Sequence, residues 1–568
     1  MRILELSANK KSFKTLTFNP EGISLIVGGH PSRYSDRSNG VGKTLALKLV
    51  NLCLGSRADK KMGEVLKDWF FELKFEVAGK IHHVTRSADG KIIYLDDHKM
   101  NIQEYRNWLN DLGVFLLPNK NFHTSFRSLF RRFTRVARDD CVDAIRLSKE
   151  NDFQALINSL WLLGFDIILA KHKHDIKKQI EAIDKQKKSW ETEHPILRNI
   201  LSIGSDPHAK AEQLKEQIEL LRKHIQEMHV ADDYYDLVQQ ADILTKKLRK
   251  IETEISRLEF RLEKIGNLMR QTPDISLEEL NSLYKEMKQI FRPEILRHFE
   301  AVEKFHKTLY EQRIARLENE RIKALEEKQK LENEWQEIKK ERDSLIDRLK
   351  GSTSLEEYQT ILGELSKLEE ELKVIERYLE VEQTLQKKRI SFQKEFTKVI
   401  EEASKYLDTT KKRQEFLDKK YRDLAKKLYD NISAGLQIKL NDGFNLILYN
   451  IIVTIEGQSS DGINDARILC FDWLIYMWGQ NHSMRFLWHD NRLFANLERR
   501  ARANWFKMVL ETLKTTGKQY IASLNQENYE AMLDYFLDEE KEIIENSVIL
   551  RLDANKPEQK LLGIQFDL

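Results

Sequence analysis

Apolar positions change rhythm twice along this chain. From residue 1 to about residue 166, short apolar runs at 23–27, Phe70–Val77, 81–86 and 92–95 are separated by turn signals such as Ala88-Asp89-Gly90. Runs of that length between turn residues predict a mixed α/β lobe with a hairpin-rich sheet. After about Leu169 the period becomes helical. Ala211, Leu214, Ile218, Leu221, Ile225 and Met228 follow a three-four spacing, which breaks at 229–235. Leu237, Ala241, Leu244, Leu248, Ile251, Ile255, Leu258, Leu262 and Ile265 then resume it. That alternation is a coiled-coil seam.

A helix stop is expected at 266–274, around Gly266 and Pro273, and the capping box 276–279 starts a new helix. Helical sequence then runs through Leu331, Trp335, Ile338, Leu365, Leu372 and Ile375 to about Tyr429, with Pro293 and Gly351-Ser352 as breaks. The mixed pattern returns beyond Asn431. Strands are expected at 436–440, 444–455, 484–489, 520–524, Val548–Leu552 and 561–566, with helices at 466–478 and 493–516. Two helical tracts separated by a break predict an antiparallel hairpin whose ends bring two half-domains together. The expected division is an N-terminal lobe at 1–168, outgoing helices at 169–270, an apex at 271–300, returning helices at 301–430 and a C-terminal lobe at 431–568.

Composition agrees with this division. The chain has 568 residues, 33% of them charged and only eight of them proline, which suits extended helices joined to a globular part. Net charge is +3, but residues 1–150 hold 26 Lys and Arg against 17 Asp and Glu, so the N-terminal lobe is basic and suits a polyanion. Cys53, Cys141 and Cys470 lie far apart with no C-x-x-C pair, which excludes a zinc hook and a disulfide framework and fits a reducing cytoplasm. No run approaches a membrane span, and no signal peptide is expected at the start.

The chemistry begins at Ser38-Asn39-Gly40-Val41-Gly42-Lys43-Thr44, between the apolar run 23–27 and the apolar helical stretch 45–54. Backbone N–H groups of Asn39, Gly40, Val41 and Gly42 can approach phosphate oxygens, Lys43 reaches the β- and γ-phosphates, and the Thr44 hydroxyl can hold Mg²⁺. Eight residues, 30–37, separate Gly28-Gly29 from Ser38, so the phosphate loop carries an insertion. In the C-terminal half, the run 485–489 ends in Asp490, a candidate second Mg²⁺ ligand. Asn491 follows, and an amide cannot act as a base, so hydrolysis is expected to be slow, to use His489 or Glu498, or to depend on a partner. Ser460 and Gly462 precede an apolar helix and suit a γ-phosphate; the alternative is a simple N-cap. Arg127, Arg131, Arg132, Arg135 and Arg138, interleaved with Phe126, Phe130 and Phe133, are expected to form a helical basic face for DNA phosphates; the alternative is pairing with Asp139 and Asp140. Arg499, Arg500 and Arg502 make a second cluster.

In this order, the phosphate loop, long helical hairpin, Ser460-Asp461-Gly462 and strand-ending Asp490 resemble the SMC, SbcC and RecN class of ABC-type ATPases. Together with 125–129, 305–309, Phe471-Asp472 and His489-Asp490, they are similar to a bacterial SMC-like family with a C-terminal domain of unknown function found in Lamassu-like and ABC three-component antiphage loci. The resemblance implies an α/β ABC-type ATPase head built from both ends of the chain. It also implies ATP and Mg²⁺, and a homodimer in which Ser460 and Gly462 of one subunit meet the γ-phosphate held by Lys43 of the other. DNA and an accessory subunit with a nuclease or protease effector are the implied partners. The sequence departs from the class at Asn491 and at Leu524-Asn525, which stands in place of the switch histidine, and it shows no Q-loop glutamine near 115–119. A RecN- or RecF-like repair ATPase and a non-hydrolysing coiled-coil scaffold are the alternatives.

Overall fold

A computed structural model describes residues 1–29, 41–227, 232–270, 293–349 and 353–566. They divide into two units, 1–187 with 384–568, and 188–383. The first is an α/β head. Strand β1 (Arg2–Ala8) pairs antiparallel with β2 (Leu16–Thr17) and β4 (Phe70–Val77), and the sheet continues through β5 (Lys80–Ser87), β6 (Ile93–Leu95) and β7 (His98–Met100). The alternating burial of β4 places Phe71, Leu73, Phe75 and Val77 on the core face.

The second head sheet draws on both ends of the chain. Its order is β10 (Phe486–His489), β11 (Gln519–Asn525), β3 (Gly22–Gly28), β12 (Val548–Leu552), every neighbour parallel. Parallel strands are covered on both faces, which is why β3 and β11 are buried along nearly their whole length. Helix α1 (Lys43–Cys53) follows β3, with the phosphate loop between them. Short helices α2 (Lys60–Val65), α3 (Ile102–Asp111), α4 (Phe126–Phe130) and α5 (Asp152–Leu163) complete the N-terminal lobe.

Four helices form the tracts flanking the seam break: α6 (Ile168–Glu193), α7 (Pro195–Ser202), α8 (Pro207–Glu227) and α9 (Asp232–Arg270). On the return lie α10 (Pro293–Leu349), α11 (Thr353–Thr409) and α12 (Lys411–Leu428). In the second unit, α9 and α10 pair antiparallel, with Trp335 Nε1 donating to Glu252 Oε1 at 3.0 Å and Lys328 Nζ 2.8 Å from Glu259. Likewise Arg222 pairs with Glu369 at 2.7 Å, and Leu197, Ile200, Ala211 and Leu214 bury against Ile375 and Tyr378. Helix α9 runs through Gly266 to Arg270, a glycine cost of about 1 kcal/mol that packing against α10 outweighs, and 271–274, the rest of the expected stop, lie outside the described residues. The capping box 276–279 lies outside the described residues, as do Gly351-Ser352. Helix α12 explains why the return tract is the longer one. It buries Leu417, Tyr421, Leu424, Ala425 and Leu428 in the head core.

The rest of the C-terminal lobe is β8 (Ala434–Leu440), β9 (Tyr449–Ile455), α13 (Asp461–Trp478), α14 (Arg499–Thr516), α15 (Gln526–Leu533) and α16 (Asp538–Asn546). Two expected strands are corrected. Residues 444–448 form a turn, because Asn441 and Asn445 side chains accept the N–H groups of Gly443 and Ile447, and β9 begins only at Tyr449. Residues 561–566 are irregular. Gly563 takes φ +68°, and the Leu561 peptide is committed to other segments, its N–H donating to Val41 O and its carbonyl accepting from Lys14 N–H. No described helix is long and apolar enough to cross a membrane.

Candidate functional site

Helix α1 starts where the loop leaves β3. Gly42, its N-cap, takes φ 109°, a conformation that disfavours any side chain, and a Cβ there would also lie 2.4 Å from Leu561 Cβ. A Cβ on Gly28 would lie 2.3 Å from Lys43 Nζ. Gly42 is therefore required by its backbone conformation and close approach, while a side chain at Gly28 would displace the Lys43 ammonium. Leu561, which closes over Gly42 and bonds Val41, is a loop-supporting residue that strand reading of the C-terminus missed. Asn39, Gly40 and the insertion lie outside the described residues.

Lys43 is buried, and burial lowers its ammonium pKa to about 8, against the opposing pull of Asp490. The next residue, Thr44, donates its hydroxyl to Asp490 Oδ2 at 3.0 Å. Asp490 directly follows β10, is 2% exposed, and its Oδ1 has no hydrogen-bond partner. Burial pushes its carboxyl pKa up, while Thr44, Arg492 and Lys43 pull it back. A buried carboxylate oxygen without a donor is costly unless something else satisfies it. An all-oxygen pair of one carboxylate and one hydroxyl, at the start of α1 and beside the Lys43 ammonium, suits a hydrated Mg²⁺ next to phosphates. The residues present fit that ion. Arg492 Nε lies 3.8 Å from Asp490 Oδ2.

Asn491 is held in place. Its Oδ1 accepts the Asn525 backbone N–H at 2.7 Å and Asn528 Nδ2 at 3.2 Å, tying the end of β10 to the end of β11. His489 is not available as a base, which corrects that expectation. It is 1% exposed and sits in the core, with Nδ1 2.9 Å from Tyr520 Oη and Nε2 3.4 Å from Asp472 Oδ2. Trp505 Nε1 donates to Tyr520 Oη, so the network assigns Tyr520 O–H to His489 Nδ1 and His489 Nε2–H to Asp472. Burial lowers the His489 pKa and keeps the ring neutral. Glu498 is an exposed N-cap of α14.

The five arginines do not form one helical face. Helix α4 is only five residues long and passes into a 3₁₀ turn, so the side chains scatter. Arg132 is buried on Glu150 at 3.0 Å. Arg135 is buried on Asp472, with its Nε and Nη2 donating to the two carboxylate oxygens at 2.6 and 2.7 Å. Arg131 bonds Asp140 at 2.7 Å, Arg127 donates to Leu54 O and Asn51 Oδ1, and Arg138 is exposed. In the second cluster Arg502 is buried on the carbonyls of Phe494 and Leu497.

Ser460 is the N-cap of α13, its hydroxyl makes no capping bond, and it is exposed. Gly462 packs so closely that a Cβ would lie 2.3 Å from Asn496 O. Just inside the helix, burial pushes the Asp465 carboxyl up to about 6, against a 3.0 Å hydrogen bond from Asn496 Nδ2. The native state therefore favours the protonated acid, and this contribution to stability is present below about pH 4 and lost as pH rises through about 6. Asp465→Asn keeps an acceptor for Asn496 without the charge. It is expected to stabilise the head by on the order of 2 kcal/mol at pH 8 and by little at pH 4. Thermal midpoints at the two pH values test this; an equal shift at both would mean that the charge is not the cause.

Residues 424–566 match a family described as "Uncharacterised protein conserved in bacteria (DUF2326)". No curated protein matches the chain. Among solved structures, the Smc head domain with a coiled coil and joint from Pyrococcus yayanosii is 16% identical, covering 96% of this chain and 99% of that one, with a TM-score of 0.37. The Smc head domain with an extended coiled coil bound to the C-terminal domain of ScpA from Pyrococcus furiosus is 12% identical, covering 94% and 91%, with a TM-score of 0.32.

Proposed function

We propose that the chain is an SMC-like ABC-type ATPase of the cytoplasm, which binds ATP and Mg²⁺ at the Lys43 loop and dimerises its heads around the nucleotides. The observation that carries this reading is the Thr44–Asp490 hydrogen bond, made across 446 positions of sequence. The start of the helix after the phosphate loop meets the carboxylate at Asp490 Oδ2, and the second buried oxygen of that carboxylate, Oδ1, has no donor. In a dimer, the exposed Ser460 hydroxyl and the start of α13 supply the second wall of the site, meeting the γ-phosphate held by the other subunit's loop. Bound Mg²⁺ supplies neutralisation of phosphate charge. Lys43 adds its ammonium, Thr44 and Asp490 orient the ion's shell, and Leu561 holds the loop in register. DNA is engaged without base readout, through surface cations such as Arg138 rather than through Arg132 and Arg135, whose charges are spent internally. An accessory subunit and a nuclease or protease effector in antiphage defence complete the reading.

Turnover is expected to be slow. Asn491 can take no proton and its oxygen already accepts two donors, and loss of a general base costs about 10²–10⁴-fold in rate. Phosphate release by the purified chain, with and without DNA and its neighbours' products, tests the proposal. Release that persists in Asp490→Asn would remove this site from the chemistry. The state of Asn491 favours a second reading, a scaffold that binds nucleotide without hydrolysing it. Release with DNA and partners present that Asp490→Asn abolishes would exclude that scaffold.

A further inference from the structure

A cavity of about 840 Å³ opens beside the C-terminal half of α1. That is the size of a small-ligand site. Lys48, Arg57, Arg106, Arg127, Arg138 and Arg492 line it, with Asp59 and Asp140 as its carboxylates. Both acids are already engaged. Asp59 accepts the N–H groups of Lys61 and Met62 at the start of α2. Asp140 accepts from Arg131, from the Ser148 N–H and hydroxyl, and from the Ala137 N–H.

Capping explains where the inner arginines sit, but not their charge. Arg86, Arg106 and Arg127 donate to the carbonyls of Leu52, Leu54, Gly55 and Ser56, at and just beyond the end of α1, where Leu52 O also accepts the Gly55 N–H. A helix C-terminus offers about −0.5 of an elementary charge, and three guanidiniums bring three full positive charges. Among the described residues no carboxylate forms an ion pair with Arg86, Arg106, Arg127 or Arg138. The strain shows at Arg127, where burial and then the neighbouring Arg131, Arg106 and Arg86 push the pKa down to about 9. A cluster of guanidinium forks lining a half-open cavity with unspent charge matches a doubly charged phosphate group. The polar side chains of Gln103 and Asn110 on the same wall suit the remainder of a nucleotide.

We propose that this cavity binds the terminal phosphate monoester of a nucleotide unit, at a site separate from the Lys43 loop. The group comes either from a free nucleotide or from the end of a nucleic-acid strand. A cavity of this volume suits one nucleotide unit better than a continuous duplex backbone. Arg492 reaches both places, lining the cavity while lying 3.8 Å from Asp490 Oδ2.

The test uses the full chain and measures binding of AMP and of one short single-stranded oligonucleotide with either a 5′-phosphate or a 5′-hydroxyl. The phosphorylated strand or AMP is expected to bind, the phosphorylated strand about tenfold or more tighter than its hydroxyl twin. Arg127→Gln and Arg138→Glu should each remove most of that preference, and Lys43→Ala should leave it intact, which separates this site from the proposed ATP site. Arg138 is exposed, so its variant decides the matter even if Arg127→Gln fails to fold. Competition by AMP identifies a free nucleotide as the source, and binding of the phosphorylated strand alone identifies a strand end. Equal binding of both strands with none of AMP, or a preference that survives in Arg138→Glu, overturns the proposal.

Discussion

Arg135→Met is expected to destabilise the head by about 3–5 kcal/mol, because it leaves Asp472 charged and unpaired in the core. The pair is 1% and 0% exposed. Arg135 holds the Asp472 carboxyl below its usual range, and the carboxylate in turn raises the Arg135 pKa despite burial. The remaining donors of Arg135 go to the carbonyls of Asp140, Asp143 and Ala144, so one guanidinium fixes the 140–144 segment as well. Asp472 also holds His489, the residue before Asp490, so the loss reaches the end of β10. Arg135→Met combined with Asp472→Leu removes both charges and is expected to recover most of the stability, since a buried pair contributes little over apolar packing. Chemical denaturation of the single and double variants measures this. A single variant as stable as the parent would mean that water reaches the pair.

The same arginine shows where sequence reading stops. Gly42-Lys43-Thr44 is legible as a pattern because a glycine-rich turn between an apolar strand and an apolar helix is local, whereas the Thr44–Asp490 contact spans 446 positions. Asp490 was legible as the polar end of an apolar run. The arginines from 127 to 138 looked like a helical face because their spacing is helical, but α4 ends after one turn. What decides their use is Glu150, Asp140 and Asp472, the last of them 337 positions from Arg135. The Asn491 link to Asn525 and Asn528, and the closure of Leu561 over Gly42, are likewise contacts between distant segments that no periodicity records. The coiled-coil seam was legible for the opposite reason, since its partner helix repeats the same period. Gly266 does not interrupt the helix, because local propensity is weaker than packing along a long helix pair.

Lys43→Ala should weaken nucleotide binding by about tenfold to a hundredfold, the range of one or more charge-assisted hydrogen bonds. The loss is expected to exceed a simple missing contact. Lys43 is one of the groups that hold down the raised Asp490 pKa, so removing it makes the Asp490 carboxyl harder to ionise and weakens the Mg²⁺ ligand at the same time. The parent carries a matching pH signature. Phosphates bind the ammonium form, and Lys43 loses its proton near pH 8 in the free protein, well below the ordinary lysine value. Affinity should be level between about pH 6.5 and 7.5 and then fall, approaching tenfold per pH unit above 8, with one proton taken up on binding. In Lys43→Ala that alkaline fall should disappear. Calorimetric titration with a non-hydrolysable ATP analogue and Mg²⁺, run in buffers of different ionisation enthalpy, reads both affinity and proton uptake. An alkaline fall of the same size in parent and variant would place the titrating group elsewhere, and parent-like affinity in the variant would sink the assignment of this loop as the nucleotide site.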